Sequence, residues 1–294
     1  MLETVKIGHV TDTEKQTGTS VILFDAMTSC AKFVVGSAPA TRDIALLSPD
    51  SFMPHINAIS LSGGSAFGLA AADGVMQWLK QQGKGFPTAH GAVPIVPAAA
   101  LYDFSASSNE SPDASMGFQA CVNAQKNNFE SGALGAGTAA TVGKLFPQYL
   151  PSRGGWGVAT YQHEGLEVLA CAAVNAVGEI LNPQGQVIAG ARNTAGELVS
   201  MTEAILQGQQ IQTDLQTNTT LVTVISNATF DKSTLSRIAK VAATGMARAI
   251  SPCFTLFDGD IVFAAATGEQ QADETEVSVI AASLVQEAII NAVK

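Results

Sequence analysis

Two short polar motifs each stand directly before an apolar run that reads as a strand. Residues 218–220 (NTT) precede LVTVIS, and residues 258–260 (DGD) precede IVFAAA. Taken singly, NTT also fits the end of a polar loop and DGD an ordinary turn. Taken together, they supply a hydroxyl nucleophile and two carboxylates that could orient and polarise it.

A threonine hydroxyl is a weak nucleophile and needs a base. The α-amine of an N-terminal threonine can serve, because its reference pKa of about 7.7–8.0 leaves it partly neutral near pH 7. That amine exists only if the chain cuts itself, with the hydroxyl attacking the carbonyl of residue 218. The chemistry of the residues alone does not choose between Thr219 and its neighbour Thr220.

The glycine-rich stretch offers a weaker nucleotide-binding pattern. Residues 135–140 (GAGTAA) fit a loose G-x-G-x-x-A, but the polar QKNNFESGA precedes them where that fingerprint requires a buried strand. A phosphate loop around Lys144 fails at Thr138 and at Leu145. The small residues therefore favour close backbone packing over phosphate binding.

Other candidate centres lack their required neighbours. Ser65 resembles a nucleophile elbow, but Phe67 fills the position of the second glycine, so a helix-start turn is favoured. The four cysteines have no metal-type spacing and are interpreted as buried thiols. Four histidines also share no metal-ligand spacing: His9, His55, His90 and His163. No cofactor or metal is predicted.

Composition restricts partners and location. Apolar residues make up 47% and charged residues 14%, which predicts that some surface is covered in a homo-oligomer. The net charge of −10 argues against nucleic acid, since no basic stripe could displace phosphate counterions. The first residues lack a basic start and an apolar stretch, and no apolar run approaches about 18 residues. We therefore expect a cytoplasmic protein without membrane contact.

The apolar periodicity predicts a layered α/β protein with helices on both faces of packed sheets. Residues 20–36 alternate like two strands around a polar turn. Further strands are predicted at 57–61, at VPIVPAAALYDFS, at 166–177, at TLVTVIS and at IVFAAA. Helices are predicted over LAAADGVMQWLKQQGKG, about 115–128, 231–249 and about 275–293.

Eight motifs in order resemble the L-aminopeptidase/D-esterase family of N-terminal-nucleophile hydrolases, and within it the nylon-oligomer (6-aminohexanoate-oligomer) hydrolases. They are IGHVTD, LSGGSAFGLAAADGV, VPAAALYDFSASS, GALGAGTAATVGK, VNAVG, NTTLVTVISNA, GMARAI and FDGDIVFA. The resemblance implies a single-domain, four-layer αββα sandwich over residues 1–294, assembled into tetramers or larger rings.

The resemblance also implies roles for single residues. Thr219 matches the nucleophile, released by autocleavage after Asn218 into fragments 1–218 and 219–294. Asp258 and Asp260 match the acidic pair that assists it.

Three further residues match positions lining the family's site. Asn175 matches an amide that stabilises the tetrahedral oxyanion, a type of donor typically worth about 10²–10³ in rate. Lys144 matches a lysine whose charge could keep the α-amine neutral. Tyr102 matches a tyrosine that can donate to the substrate or the oxyanion.

The sequence thus predicts a self-cleaving hydrolase of amide bonds in small peptides or amide oligomers. An uncleaved, inactive binding or scaffold protein of the same fold is one alternative, and an acyltransferase sharing the same intermediate is another. No motif reports the walls of the substrate pocket.

Overall fold

The computed structural model describes residues 2–105, 108–211 and 218–294. The strands are β1 (Val5–Asp12), β2 (Thr17–Val34), β3 (Ala40–Arg42), β4 (Ile56–Ser62), β5 (Phe86–Thr88), β6 (Gly91–Val93), β7 (Ala98–Ala100), β8 (Thr141–Val142), β9 (Ser152–Arg153), β10 (Gly155–His163), β11 (Leu166–Asn175), β12 (Glu179–Leu181), β13 (Val187–Ala189), β14 (Thr219–Ala228), β15 (Ile250–Ser251) and β16 (Ile261–Gln270). The helices are α1 (Ser65–Gly68), α2 (Ala71–Gln81), α3 (Ala114–Val122), α4 (Met201–Leu206), α5 (Lys232–Ala249) and α6 (Glu274–Asn291).

The long strand β2 belongs to two sheets. Its first half pairs with β1 and β4, and its second half pairs antiparallel with β16. The register with β4 breaks between Leu23 and Thr28, at the polar interruption. The prediction of two strands around a turn in residues 20–36 is therefore wrong. The polar residues mark where one strand passes between sheets, and the chain does not reverse there.

The two sheets pack face to face between two helical layers. One sheet has the order β1-β2-β4-β7-β3, and the other has the order β10-β11-β14-β16-β2. Apolar side chains of α2 and α3 pack on the first sheet, and those of α5 and α6 pack on the second. A third cluster, which includes Trp156, Ile59 and Phe263, fills the space between the sheets. The predicted αββα sandwich is confirmed.

Strand β14 lies in the middle of the second sheet and is buried along its whole length. It pairs antiparallel with β11 and parallel with β16. Val222 and Val224 face the helices α5 and α6, whereas Leu221 and Ile225 face the other sheet. Burial on both faces explains why the sequence after Thr219 reads as a continuous apolar run.

Aspartates begin three of the helices. Asp231 caps α5 by accepting from the Thr234 amide, and Asp273 caps α6 in the same way. Both helices lie where the apolar spacing predicted them. Helix α3, capped by Asp113, ends at Val122 and is shorter than the predicted span of 115–128.

Three of the four cysteines are buried, as predicted. Cys253 is only half-buried, so the prediction of a buried thiol is wrong there. It lies in the short segment between β15 and the DGD turn and packs at the margin of the core that includes α5 and α6. Among the residues described, none of the helices combines the length and hydropathy needed to cross a membrane.

Candidate active site

Three strand ends bring the two polar motifs together. Thr219 is the first residue of β14, and it pairs with Asn175 at the end of β11. On the other side of β14, Asn218 forms a parallel bridge with Asp258, just before β16 begins. The antiparallel and parallel pairings of one central strand therefore place residues from three remote parts of the sequence side by side.

The DGD turn wraps around the start of β14. The Gly259 amide donates to the carbonyl oxygen of Asn218 at 2.7 Å, and the Thr220 amide donates to Asp260 Oδ1 at 2.6 Å. The Thr219 hydroxyl lies 2.5 Å from that same carbonyl oxygen and donates to it. The hydroxyl and the peptide bond that it would attack are therefore in contact.

Both aspartates of the turn are buried, with about 2% of their surface exposed. Burial raises the pKa of Asp258 against the opposing effect of Thr255, whose amide and hydroxyl both donate to Asp258 Oδ2. Burial, and then the nearby charge of Asp258, raise the pKa of Asp260 well above its ordinary value. Because the charge of one carboxylate disfavours ionisation of the other, the two buried carboxyls are costly to ionise together.

Lys144, Asn175 and Tyr102 form a connected group on the other side of Thr219. The Lys144 ammonium donates to Asn175 Oδ1 at 2.8 Å, and Asn175 Nδ2 donates to the backbone carbonyl of Tyr102 at 2.6 Å. Desolvation lowers the pKa of Lys144 to about 7, although the charges of Asp258 and Asp103 oppose it. This lysine therefore titrates near neutrality.

A cavity of about 560 Å³ opens at this group. Tyr102, Lys144, Asn175 and Asn218 line its polar part, while Thr219 and the two aspartates are buried beside it. The remaining wall is largely apolar and includes Phe104, Phe146, Pro147, Tyr149, Leu150 and Pro151. Asn218 thus lines the cavity, while its carbonyl oxygen is held by the Gly259 amide and the Thr219 hydroxyl.

Sequence reasoning missed Asp103, a buried carboxyl that also lines the cavity. Its Oδ1 accepts from the Gly64 amide at 2.7 Å, and its Oδ2 is buried without a hydrogen bond to any residue that the structure describes. Burial raises the pKa of Asp103 to about 6. Its place beside Tyr102 in LYDF was the only sequence signal for it.

Among the remaining candidates from the sequence, Ala139 of the glycine-rich stretch lines the cavity, whereas Ser65 and the four histidines do not. Residues Gly135–Gly137 form one 3-10 turn, and a side chain at Gly137 would meet the backbone of Gly155 at 2.2 Å. Their close backbone packing is thus confirmed. Ser65 begins the one-turn helix α1, as predicted for a helix-start turn. Over the described ranges, no three histidine, cysteine, aspartate or glutamate side chains are grouped to hold a metal ion.

The model of one protein family, peptidase family S58, matches residues 2–294. The chain belongs to peptidase family S58. An uncharacterized aminopeptidase of Mycobacterium leprae is a similar relative, 35% identical over 88% of this chain and 73% of its own length. A 6-aminohexanoate-oligomer endohydrolase of Agromyces is 31% identical over 72% of this chain and 61% of its own length. This S58 protein is accordingly a peptide or amide hydrolase, and the resemblance found in the sequence is confirmed.

Solved structures show the same fold. The L-aminopeptidase D-Ala-esterase/amidase of Ochrobactrum anthropi, described as a variant of the Ntn-hydrolase fold, aligns with a TM-score of 0.73 at 15% identity, covering 99% of this chain and 84% of its own. A beta-aminopeptidase of Burkholderia aligns with a TM-score of 0.72 at 19% identity, covering 98% and 83%. The S58 chain therefore has the Ntn-hydrolase fold.

Proposed function

We propose that this S58 hydrolase cuts itself between Asn218 and Thr219 and then uses Thr219 as its N-terminal nucleophile. One observation carries the proposal. The Thr219 hydroxyl lies against the Asn218 carbonyl, at a strand end where both acidic residues of the DGD turn and a cavity meet. No histidine is needed in this scheme, because the new amine replaces the imidazole as base.

Self-cleavage proceeds as an acyl shift from nitrogen to oxygen. Thr219 Oγ1 bonds to the carbonyl carbon of Asn218, and the proton leaves Oγ1 for the backbone nitrogen as the carbon–nitrogen bond breaks. The resulting ester joins Asn218 to the Thr219 side chain. Water then hydrolyses that ester, which leaves a carboxylate on residue 218 and a free α-amine on Thr219.

The mature site repeats this chemistry on an external amide. The α-amine of Thr219 accepts the proton of its own hydroxyl while Oγ1 attacks the substrate carbonyl. The amine of the substrate leaves with that proton, and water hydrolyses the acyl-enzyme. Lys144 is bound to Asn175, the strand partner of Thr219, so its positive form would disfavour protonation of the α-amine.

The two fragments would stay together after cleavage. Strands β14 and β16 belong to fragment 219–294, yet they lie between β11 and β2 of fragment 1–218. Separating the fragments would expose both faces of the central sheet and the apolar faces of α5 and α6. This burial supports a mature enzyme that contains both pieces.

The cavity favours small peptides or linear amide oligomers. Its volume of about 560 Å³ suits a small ligand. An apolar wall leads to the polar group at Asn175, so an apolar chain could lie along Phe146 and Tyr149 with its amide at Asn218. A panel of amino-acid p-nitroanilides and 6-aminohexanoate oligomers would identify the preferred chain.

Denaturing electrophoresis with N-terminal sequencing tests self-cleavage. The wild type should give two bands, the smaller beginning TTLVTV. Thr219→Ala should remain a single inactive chain, while the matched variant Thr220→Ala should still be cut. An intact wild-type chain under all conditions would contradict the proposal and favour the inactive scaffold alternative. If self-cleavage were blocked in Thr220→Ala but not in Thr219→Ala, Thr220 and not Thr219 would be the nucleophile.

We also propose that the protein is a cytoplasmic homo-oligomer. Large apolar side chains stand exposed at several places, among them Met27, Phe52, Leu206 and Val279. Free thiols at all four cysteines suit a reducing compartment. Light scattering coupled to size-exclusion chromatography would measure the assembly, and a monomer at micromolar concentration would contradict it.

A further inference from the structure

The carbonyl of Asn218 is held by the DGD turn. The Gly259 amide donates to its oxygen at 2.7 Å, and the Asn218 amide in turn donates to the Phe257 carbonyl at 2.7 Å. The residue before the cut is therefore fixed on both of its backbone polar groups. A donor on this oxygen lies where negative charge would develop if Thr219 attacked the carbonyl carbon.

Asn175, which the sequence predicts to stabilise an oxyanion, forms its side-chain hydrogen bonds with groups other than the Asn218 carbonyl. Asn175 Nδ2 donates to the Tyr102 carbonyl, and Asn175 Oδ1 accepts from Lys144 and from the Thr141 amide. The Lys144 ammonium also donates to the Asn175 carbonyl at 3.2 Å. The side chains of Lys144 and Asn175 are thus hydrogen-bonded to each other at the cavity. The Gly259 amide, in contrast, binds the carbonyl oxygen of the peptide bond that would be cut.

Position 259 leaves no room for a side chain. A Cβ there would lie 2.7 Å from Thr219 Oγ1 and 2.6 Å from the Ala38 carbonyl oxygen. Glycine thus allows the turn to approach both the nucleophile and the Asn218 carbonyl closely.

We propose that the Gly259 backbone amide is the oxyanion donor for self-cleavage, and that Asn175 and Lys144 act only on external substrates. When Thr219 Oγ1 bonds to the Asn218 carbon, the electron pair of the C=O bond moves to the oxygen that Gly259 holds. That pair returns as the carbon–nitrogen bond breaks and the nitrogen takes the hydroxyl proton. The inference rests on the proposed self-cleavage and assigns a separate donor to it.

The sharpest test replaces one backbone N–H group by an oxygen atom. Cell-free synthesis with glycolic acid at position 259 replaces the amide by an ester and deletes the donor without adding a side chain. Electrophoresis after a pulse of labelling should show self-cleavage slowed about 100- to 1,000-fold. An ester at Gly185 is the matched control, because that glycine amide also donates one backbone hydrogen bond, to Asn182 at 2.9 Å, but in an exposed turn.

Asn175→Ala supplies a second measurement, which does not depend on the folding of the ester protein. It should be cut within about tenfold of the wild-type rate, yet lose hydrolysis of external amides about 100-fold or more. Cleavage of the 259 ester at the wild-type rate would overturn the inference, and so would a block of self-cleavage by Asn175→Ala. A wild-type protein that never cuts itself would instead contradict the proposed self-cleavage. The experiment therefore distinguishes failure of the proposed function from failure of the Gly259 assignment.

Discussion

The Lys144 ammonium donates to two oxygens of one residue, Asn175, at 2.8 Å from the side-chain oxygen and 3.2 Å from the backbone carbonyl. Neither acceptor carries a full charge, so they replace only part of the hydration that burial removes. The charges of Asp258 and Asp103 do not make up the difference, and the pKa of Lys144 falls to about 7. The cavity therefore holds an amine whose charge changes in the physiological range.

Lys144 should react selectively with acylating reagents. At pH 7.5 an amine of pKa about 7 is about three-quarters neutral, compared with roughly 0.1% for an ordinary lysine of pKa about 10.4. In the uncut Thr219→Ala chain, limited acetic anhydride should label Lys144 at least about 100-fold faster than the exposed Lys240. Peptide mass spectrometry measures both rates, and equal labelling would contradict the lowered pKa.

Asn175→Asp should shift the titration of Lys144 upward. The substitution places a carboxylate 2.8 Å from the ammonium, and an opposite charge favours the protonated form. The pH midpoint of Lys144 labelling should rise by at least about one unit. Asn182→Asp, in an exposed turn, adds the same charge elsewhere and should leave the midpoint unchanged. A midpoint that does not move would show that the two side chains are not in contact.

Asp103 should make the stability of the fold fall as pH rises. Its folded pKa of about 6 lies above the ordinary 3.8, so the folded state binds more protons than the unfolded state between these values. The associated stability is present below about pH 4 and is lost as pH rises through 6. The variant Asp103→Asn is compared with its parent in the Thr219→Ala background. Its free energy of unfolding relative to that parent should therefore increase by up to about 3 kcal/mol from pH 3.5 to pH 7.5.

Urea unfolding at the two pH values measures that difference. Asparagine keeps the oxygen that accepts from the Gly64 amide, so the hydrogen bond is not lost in the comparison. Asp113→Asn, at an exposed helix cap, is the control and should not reproduce the gain. A difference between Asp103→Asn and its parent that is the same at both pH values would show that this carboxyl titrates normally.

Thr255 should support Asp258 through its hydroxyl. It donates to Asp258 Oδ2 at 2.7 Å and so stabilises the ionised carboxylate. Thr255→Val should lower kcat/KM for amide hydrolysis about 10- to 150-fold, since a hydrogen bond to a charged group is worth about 1.5–3 kcal/mol. The acidic limb of the pH profile should also move to higher pH, because the variant carboxyl is harder to ionise. Thr255→Ser should retain both the rate and the profile, and equal loss in both variants would point to packing.

Local patterns in the sequence were enough to predict helices on both faces of packed sheets and the position of most helices, whereas the four-layer αββα sandwich was implied by the family resemblance. Residues 231–249 and 275–293 carry helical apolar spacing behind an aspartate cap, and this information lies within one helix. The sequence prediction is wrong at the polar residues between Leu23 and Thr28, because a polar interruption looks the same whether the strand turns back or crosses into another sheet. Only pairing with β16 distinguishes the two cases.

The sequence by itself determined which residue types stand at the site: a threonine that could become an N-terminus, and a pair of aspartates around a glycine. Only the tertiary structure decided that Gly259 holds the Asn218 carbonyl, that Asn175 is directed to Tyr102, and that Asp103 joins the cavity. The physical reason is that contacts and desolvation depend on strands remote in sequence. Strand β14 brings them together by pairing with β11 on one side and β16 on the other.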